Sequence, residues 1–191
     1  MSCSLIFLLT DATPFSRAIV GASAQGNLPL DHVGILDNDT QTVIEANAKE
    51  GVVETPLADF LARAPQLDGD AGYRIRNIPP EAEVDGEAAL RRARSFLGYA
   101  YNVCFVPHAG ALYCSELVQR ACLKSDGEPY FSSIRLNFGS DDPAASDFWQ
   151  QHFKQLDMPV PQGEPGTSPL SIYQQTEDPQ SCLRLEKGVL P

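Results

Sequence analysis

Two strand-like runs, Asp31–Leu36 and Gln41–Ala46, flank Asp37-Asn38-Asp39-Thr40, and this arrangement constrains the fold more than any other feature of the chain. Asn and Asp tolerate the backbone that a tight reversal needs, so the segment reads as an antiparallel hairpin. If Asn38 and Asp39 form the loop, Asp37 faces Thr40 and His32 faces Glu45. A four-residue loop from Asp37 to Thr40 gives the same register. Directly opposed side chains share one face, with Cβ atoms about 4.5–5.5 Å apart. The hairpin is therefore expected to hold an imidazole beside a carboxylate.

The surrounding pattern supplies the rest of a sheet and several helices. Leu5 to Leu9 is a continuous apolar run that reads as a buried strand and is far too short to cross a membrane. Pro14 to Ala24 has Phe15, Ala18, Ile19 and Ala22 at helical spacing, with proline in the first turn. Val52–Glu54 and Tyr73–Ile78 read as further strands. Pro56–Ala64 and Glu87–Leu97 read as helices, the second closed by Gly98. The first ten residues lack the basic stretch and cleavage site of a secretory signal. A cytoplasmic protein is expected as the sequence stands, or a periplasmic or secreted one if a leader has been removed.

The chemistry is concentrated in Tyr113-Cys114-Ser115-Glu116-Leu117-Val118. Leu117, Val118, Ala121 and Cys122 recur at helical spacing after Cys114, and Gly110 upstream breaks regular structure. A cysteine at a helix start meets the positive end of the dipole, which favours the nucleophilic thiolate. Glu116 in that first turn is explained by the same dipole. His108, six residues before Cys114, is the rival to His32 as a base. His152, set among Phe148, Trp149 and Phe153, reads as structural, and Cys104 and Cys122 read as core residues.

Composition narrows the function classes. With 191 residues of which 43% are hydrophobic, residues 1–191 are expected to form a single domain. The elements that carry the candidate chemistry lie in 1–124. Residues 125–191 are punctuated by proline and are expected to drape over the core as loops and short helices, with Asp142–Phe153 as a helix. A net charge of −11 without clustered Lys and Arg argues against nucleic acid as a partner. The five cysteines show neither a disulfide framework nor zinc-ligand spacing, so no metal and no cofactor is expected.

Taken together, Phe15-Ser16-Arg17-Ala18-Ile19, Asp31-His32-Val33-Gly34-Ile35, Val43-Ile44-Glu45-Ala46, Gly98-Tyr99-Ala100-Tyr101 and Tyr113–Val118 resemble a known group. They are similar to the YiiX/YebB-like enzymes, circularly permuted relatives of the NlpC and papain cysteine hydrolases. The His strand precedes the Cys helix here, which is the permuted order. The resemblance implies an α+β fold, with a central, mainly antiparallel sheet and the nucleophile helix packed against it. It implies Cys114 as nucleophile, His32 as base, Glu45 as the group orienting the imidazole, and Tyr101 as a site-lining residue whose hydroxyl serves the oxyanion. The implied reaction is cleavage of an amide through a thioester acyl-enzyme. The implied partner is a peptide or amide-containing small substrate, with cell-wall compounds among the candidates, and no membrane insertion. Tyr113 stands where NlpC enzymes commonly have Asp, so peptidoglycan specificity is not implied. Two alternatives stay open: an acyltransferase or thioesterase acting on lipid-linked substrates, and a non-catalytic binding module on the same fold.

Overall fold

The computed structural model describes residues 3–9, 13–22, 28–65, 71–139, 143–178 and 181, together with the backbone of 184–186. Cys182 and the ends expected for some elements lie outside the described residues.

The strand-like runs assemble into one antiparallel sheet. It contains β1 (Cys3–Leu9), β2 (Leu30–Asp37), β3 (Thr42–Asn47), β4 (Gly51–Pro56), β5 (Tyr73–Ile78) and β10 (Arg184–Glu186), in the order β10-β5-β1-β2-β3-β4. Side chains alternate between faces, and both faces are covered. Leu5, Phe7, Val33, Ile35 and Ile44 pack into one cluster with helices α3 (Gly86–Ser95), α4 (Cys114–Ala121) and α6 (Pro169–Thr176). Ile6, Leu8, Leu36, Val43 and Ile75 face the other way and are capped by Leu57 and Phe60 of α2 (Leu57–Leu61). Each such side chain contributes about 1.5–3 kcal/mol on full burial, which is why β1 reads as a nearly unbroken apolar run.

The hairpin forms, but its register differs from expectation. Asp37 pairs with Thr42, Leu36 with Val43 and Ile35 with Ile44, so the reversal is made by residues 38–41. Asp37 stays in the strand because its Oδ1 accepts hydrogen bonds from the backbone N–H groups of Asp39 at 3.0 Å and Thr40 at 3.3 Å. Gln41 takes the left-handed conformation, with φ of 55°. Its side-chain amide donates to the Asn38 carbonyl at 2.8 Å. The pairing is thus displaced by two residues, and His32 and Glu45 are not directly opposed. An even displacement preserves the faces, so the two remain on one side as diagonal neighbours.

Helix α3 starts where Asp85 accepts from the Ala88 N–H and ends before Gly98, whose φ of 87° suits only glycine. Two short strands, β6 (Ala100–Tyr101) and β7 (Ala111–Leu112), then run parallel and lead the chain into α4. Helices α1 (Pro14–Ala22) and α5 (Pro143–Gln155) pack together beside α4. Their shared cluster includes Ala18, Phe105, Tyr113, Phe138, Trp149 and Phe153, and the Trp149 indole donates to the Ala18 carbonyl at 3.0 Å.

The proline-rich segment does more than drape over the core. In α6, Leu170, Ile172 and Tyr173 belong to the same buried cluster as Leu5 and Phe7. The helix opens with a reciprocal box between Ser168 and Ser171, with Pro169 in its first turn. β8 (Ile134–Arg135) and β9 (Pro165–Gly166) pair antiparallel on the way there. Arg76 of β5 is buried and anchors the helix end by donating to Thr176 Oγ1 at 2.7 Å and Glu177 Oε1 at 3.1 Å.

Candidate active site

Cys114 is the first residue of α4 and only 3% exposed. Tyr113, at the N-cap position, provides no side-chain cap. The first N–H groups of the helix, including that of Cys114, therefore have no partner within the helix and point toward the thiol end. Tyr113 is committed elsewhere. Its hydroxyl accepts from the Thr167 N–H at 3.1 Å, and Gly166 beside it leaves no space for a Cβ, which would lie 2.8 Å from that oxygen.

His32 sits at an irregularity in the β1–β2 pairing, where Leu8 pairs with His32 but Leu9 with Leu30. Its Nε2 lies 2.6 Å from Glu45 Oε2. With Nε2 engaged by Glu45, Nδ1 is the ring nitrogen left for the neighbouring Cys114 thiol. Burial pulls the His32 pKa down, but the nearby Cys114 and the bonded Glu45 carboxylate outweigh it and raise the value to about 10. The site therefore favours an imidazolium.

Glu45 is fully buried, and both of its oxygens are occupied. Oε2 meets His32. Oε1 accepts from Thr55 Oγ1 at 2.7 Å and from the Arg63 guanidinium at 2.6 Å. Burial raises its pKa, and the hydrogen bond and charge of His32, followed by the bonds from Arg63 and Thr55, more than reverse this and bring it to about 2. A buried carboxylate is tolerated only when its charge and lone pairs are met in this way. Phe60 completes the support: its ring centroid is 5.7 Å from that of His32 and 4.8 Å from the Arg63 guanidinium carbon.

Gly34 lies between His32 and Leu36 on β2. A Cβ there would meet Val43 Cγ1 at 2.5 Å, Ile44 O at 3.2 Å and Glu45 Cβ at 3.5 Å. The bare position lets the imidazole lean diagonally across to Glu45. Gly34→Ala is expected to cost about 1–3 kcal/mol, because β-branched Val43 cannot easily rotate away. It is also expected to move the His32 titration back toward its ordinary value. Denaturant unfolding and histidine NMR titration read both effects, and an unchanged His32 titration would refute the role given to Gly34.

The other residues singled out in the sequence separate clearly. Tyr101 lies on β6 and lines both the pocket that His32 borders and the one that Cys114 borders. Burial, followed by Cys114, Tyr113 and Asp31, pushes its phenol well above the ordinary tyrosine range, so it stays protonated. His108 is exposed, and its Nδ1 donates to its neighbour's carbonyl, Ala109 O, at 2.9 Å. His152 donates to Val103 O at 2.8 Å and packs among Phe148, Trp149 and Phe153. Cys122 is in the core as expected, whereas Cys104 is only partly buried.

A cysteine at a helix start and, from a strand ahead of it in the chain, a histidine paired with a buried glutamate are now in place. Residues 7–177 match the family described as permuted papain-like amidase enzymes, YaeF/YiiX, C92. The chain belongs to this family. A crystal structure of the metalloprotein YiiX from Escherichia coli O157:H7 shares the fold, with a TM-score of 0.72 at 20% identity. The alignment covers 100% of this chain and 98% of that one. No curated protein matches the sequence.

Within the C92 fold of this chain, sequence reading missed Thr55, Arg63 and Gly34. Thr55 and Arg63 become neighbours of Glu45 only through the β3–β4 pairing and the short helix that follows, for which the sequence carries no motif. Glu116 does more than serve the helix dipole. Its carboxylate accepts from Arg120 at 2.6 Å and from the Asn102 side chain at 3.3 Å. Asn102 also donates to Val106 O at 2.7 Å. The carboxylate thereby anchors the loop that presents Phe105 to the cleft.

Proposed function

We propose that this protein is a cysteine amidase in which Cys114 is the nucleophile, His32 the acid–base group and Glu45 the residue that orients and charges the imidazole. One observation carries the reading: His32 is hydrogen-bonded to the buried Glu45 carboxylate, which Thr55 and Arg63 anchor, and the Cys114 thiol at the start of α4 is close enough to the imidazole to raise its pKa. The Cys114 thiolate attacks the amide carbonyl and forms a carbon–sulfur bond. The free N–H groups of α4, with the Tyr101 hydroxyl, stabilise the oxyanion. His32, as imidazolium, gives its proton to the departing amine, then removes one from the water that releases the acid from the thioester.

Two pockets support a direction. His32 lines one of about 430 Å³, where Asp31, Lys49 and Arg63 stand among Leu8, Leu9 and Phe15, whereas Cys114 lines a smaller, more apolar one with Phe105, Phe138 and Trp149, and Tyr101 borders both. The acyl group remains bonded to sulfur and the amine leaves from the imidazole, so the amine side occupies the pocket with the charged residues.

The YiiX neighbour is described as a metalloprotein. Among the described residues, no three His, Cys, Asp or Glu side chains are grouped to hold a metal ion. His32 and Glu45 are satisfied by one another and by Arg63 and Thr55, so this donor set does not fit a resident metal. Among the described residues, no helix is long and apolar enough to cross a membrane.

The reading is tested by alkylation of Cys114 near pH 6. His32→Ala is expected to slow the reaction with iodoacetamide at least tenfold, because the imidazolium that supports the thiolate is gone. His108→Ala is expected to react like the wild type. A reversed result would make His108 the base. A screen of amide, peptide and thioester substrates for Cys114-dependent hydrolysis then separates amidase from thioesterase.

A further inference from the structure

One strained residue shapes the pocket that Cys114 borders. Phe105 lines that pocket with Tyr113, Leu136, Phe138 and Trp149, and is only 8% exposed. Its φ is 55°, in the left-handed region, where a bulky side chain is an outlier. Such a conformation persists only where its surroundings over-determine it, and it gathers at functional sites.

The surroundings do so here. Asn102 is buried and fastens the chain on both sides of Phe105: its Oδ1 accepts from the Cys104 N–H at 3.1 Å, and its Nδ2 donates to the Val106 carbonyl at 2.7 Å. The same Nδ2 donates to Glu116 Oε2 at 3.3 Å, which ties the loop to the helix that begins with Cys114. His152 Nε2 holds Val103 O at 2.8 Å. Fixed in this way, the Phe105 ring meets Trp149 edge-on at 5.2 Å between centroids and Tyr101 edge-on at 6.4 Å. It is tilted against Tyr113 at 5.3 Å and Phe138 at 6.1 Å.

The space left beside the thiol is small. The pocket has a volume of about 30 Å³, against about 430 Å³ for the one that His32 borders. By the same kind of measure one water needs about 10–15 Å³, so about two or three heavy atoms fit beyond the acyl carbon.

We propose that Phe105 is the specificity-determining residue for the acyl half of the substrate: its ring, held by the strained loop, restricts that half to a short acyl group such as acetyl or propionyl. The proposal rests on the amidase reading, because it takes the acyl group to lie on the sulfur side.

Two measurements test it. The first compares acetyl, propionyl and octanoyl amides of one fluorogenic amine. In the wild type, octanoyl is expected to fall below acetyl in kcat/KM by about tenfold or more, since a long chain overfills the pocket. Phe105→Gly removes the ring and suits the positive φ, so it is expected to raise the octanoyl-to-acetyl ratio by about tenfold or more. Phe105→Leu keeps more of the packing and is expected to raise the ratio less. Asn102→Ala leaves the ring but unfastens the loop, and is expected to move the ratio the same way. A wild-type preference for octanoyl overturns the short-acyl limit. A ratio unmoved in both Phe105 variants overturns the role of the ring, and one unmoved by Asn102→Ala overturns the part given to the loop.

The second measurement needs no turnover. An alkyl methanethiosulfonate forms a sulfur–sulfur bond with a thiolate and releases methanesulfinate, so its alkyl chain starts at the sulfur as an acyl group would. Methyl, butyl and octyl reagents are compared in a Cys104→Ala background. Modification is followed on the Cys114 peptide by mass spectrometry, with rates taken relative to those of glutathione. The relative rate is expected to fall by about tenfold or more from methyl to octyl, and to become nearly level when Phe105→Gly is added. A level profile with Phe105 in place overturns the proposal even if no amide is cleaved. Failure of the amidase reading itself would show differently, as an absence of Cys114-dependent turnover on all three amides while the thiol still sorts the reagents by length.

Discussion

Replacing Cys114 with alanine is expected to lower amide turnover by roughly a million-fold, the scale seen when a nucleophile that works jointly with its base is removed. The structure gives the reason for so steep a loss. Cys114 is the group placed both at the unpartnered N-terminus of α4 and against His32. Ser115 next to it is fully buried, and Cys104 lies on the loop beyond β6, with its N–H bonded to Asn102. Alanine fills most of the thiol's volume, so the fold should survive, with a thermal midpoint lowered by about 2–4 °C for each kcal/mol lost. Cys104→Ala is the matched control and is expected to retain wild-type rates. The measurement is a progress curve on purified protein together with a melting curve. A folded Cys114→Ala protein that keeps even a few per cent of the activity would sink the assignment of the nucleophile.

What the sequence revealed, and what it hid, divides along physical lines. The strand at residues 5–9 could be read because burial on both faces demands an unbroken apolar run, that at 73–78 because apolar and polar residues alternate, and that at 31–36 because a turn signal follows it; β1, β5 and β2 occupy those positions. The helix at Cys114 could be read because its buried face repeats at helical spacing. The hairpin could be placed but not its register, since that depended on which residue took positive φ. Asn38 and Asp39 are the residues with that tolerance, yet Gln41 adopts it once Asp37 ties up the turn's N–H groups. His32 and Glu45 still met because a displacement of two residues leaves both on one face, whereas a displacement of one would have separated them.

The residues that escaped the sequence reading act through long-range geometry. Thr55 reaches Glu45 from the neighbouring strand β4, and Arg63 from the turn just after α2. Thr167 meets the Tyr113 hydroxyl from just before α6, in a segment whose many prolines concealed a core helix. Here a legible local signal was present, Ser168-Pro169 followed by Ser171, which is a helix start that the proline count obscured. The net charge of −11 was a poor guide to the site itself. Around His32 the cleft sets Lys49 and Arg63 against Asp31 and Glu50, a balance that a whole-chain sum cannot register.

Glu45→Gln tests the buried carboxylate beside His32, where stability and catalysis are linked. Glutamine keeps the shape but removes the charge that faces His32 and Arg63, and breaking a buried pair by removing one partner costs about 3–5 kcal/mol. The pH dependence follows from the two shifts. The Glu45 pKa is lowered from 4.5 to about 2, so its contribution is present above pH 4.5 and is lost as pH falls toward 2. The His32 pKa is raised from 6.5 to about 10, so its contribution is complete below pH 6.5 and is lost as pH rises through 10. The stability gap between wild type and Glu45→Gln is therefore expected to be widest between pH 4.5 and 6.5 and to narrow on both sides, as read by urea unfolding across the pH range. Activity should respond in the same sense. In the proposed mechanism the imidazolium donates the proton to the leaving amine, so kcat should decline on the alkaline side as His32 loses it. Without the hydrogen bond and charge of Glu45, that decline is expected to begin at lower pH. A stability gap independent of pH, with an unmoved alkaline limb, would mean that Glu45 braces the hairpin without charging the imidazole.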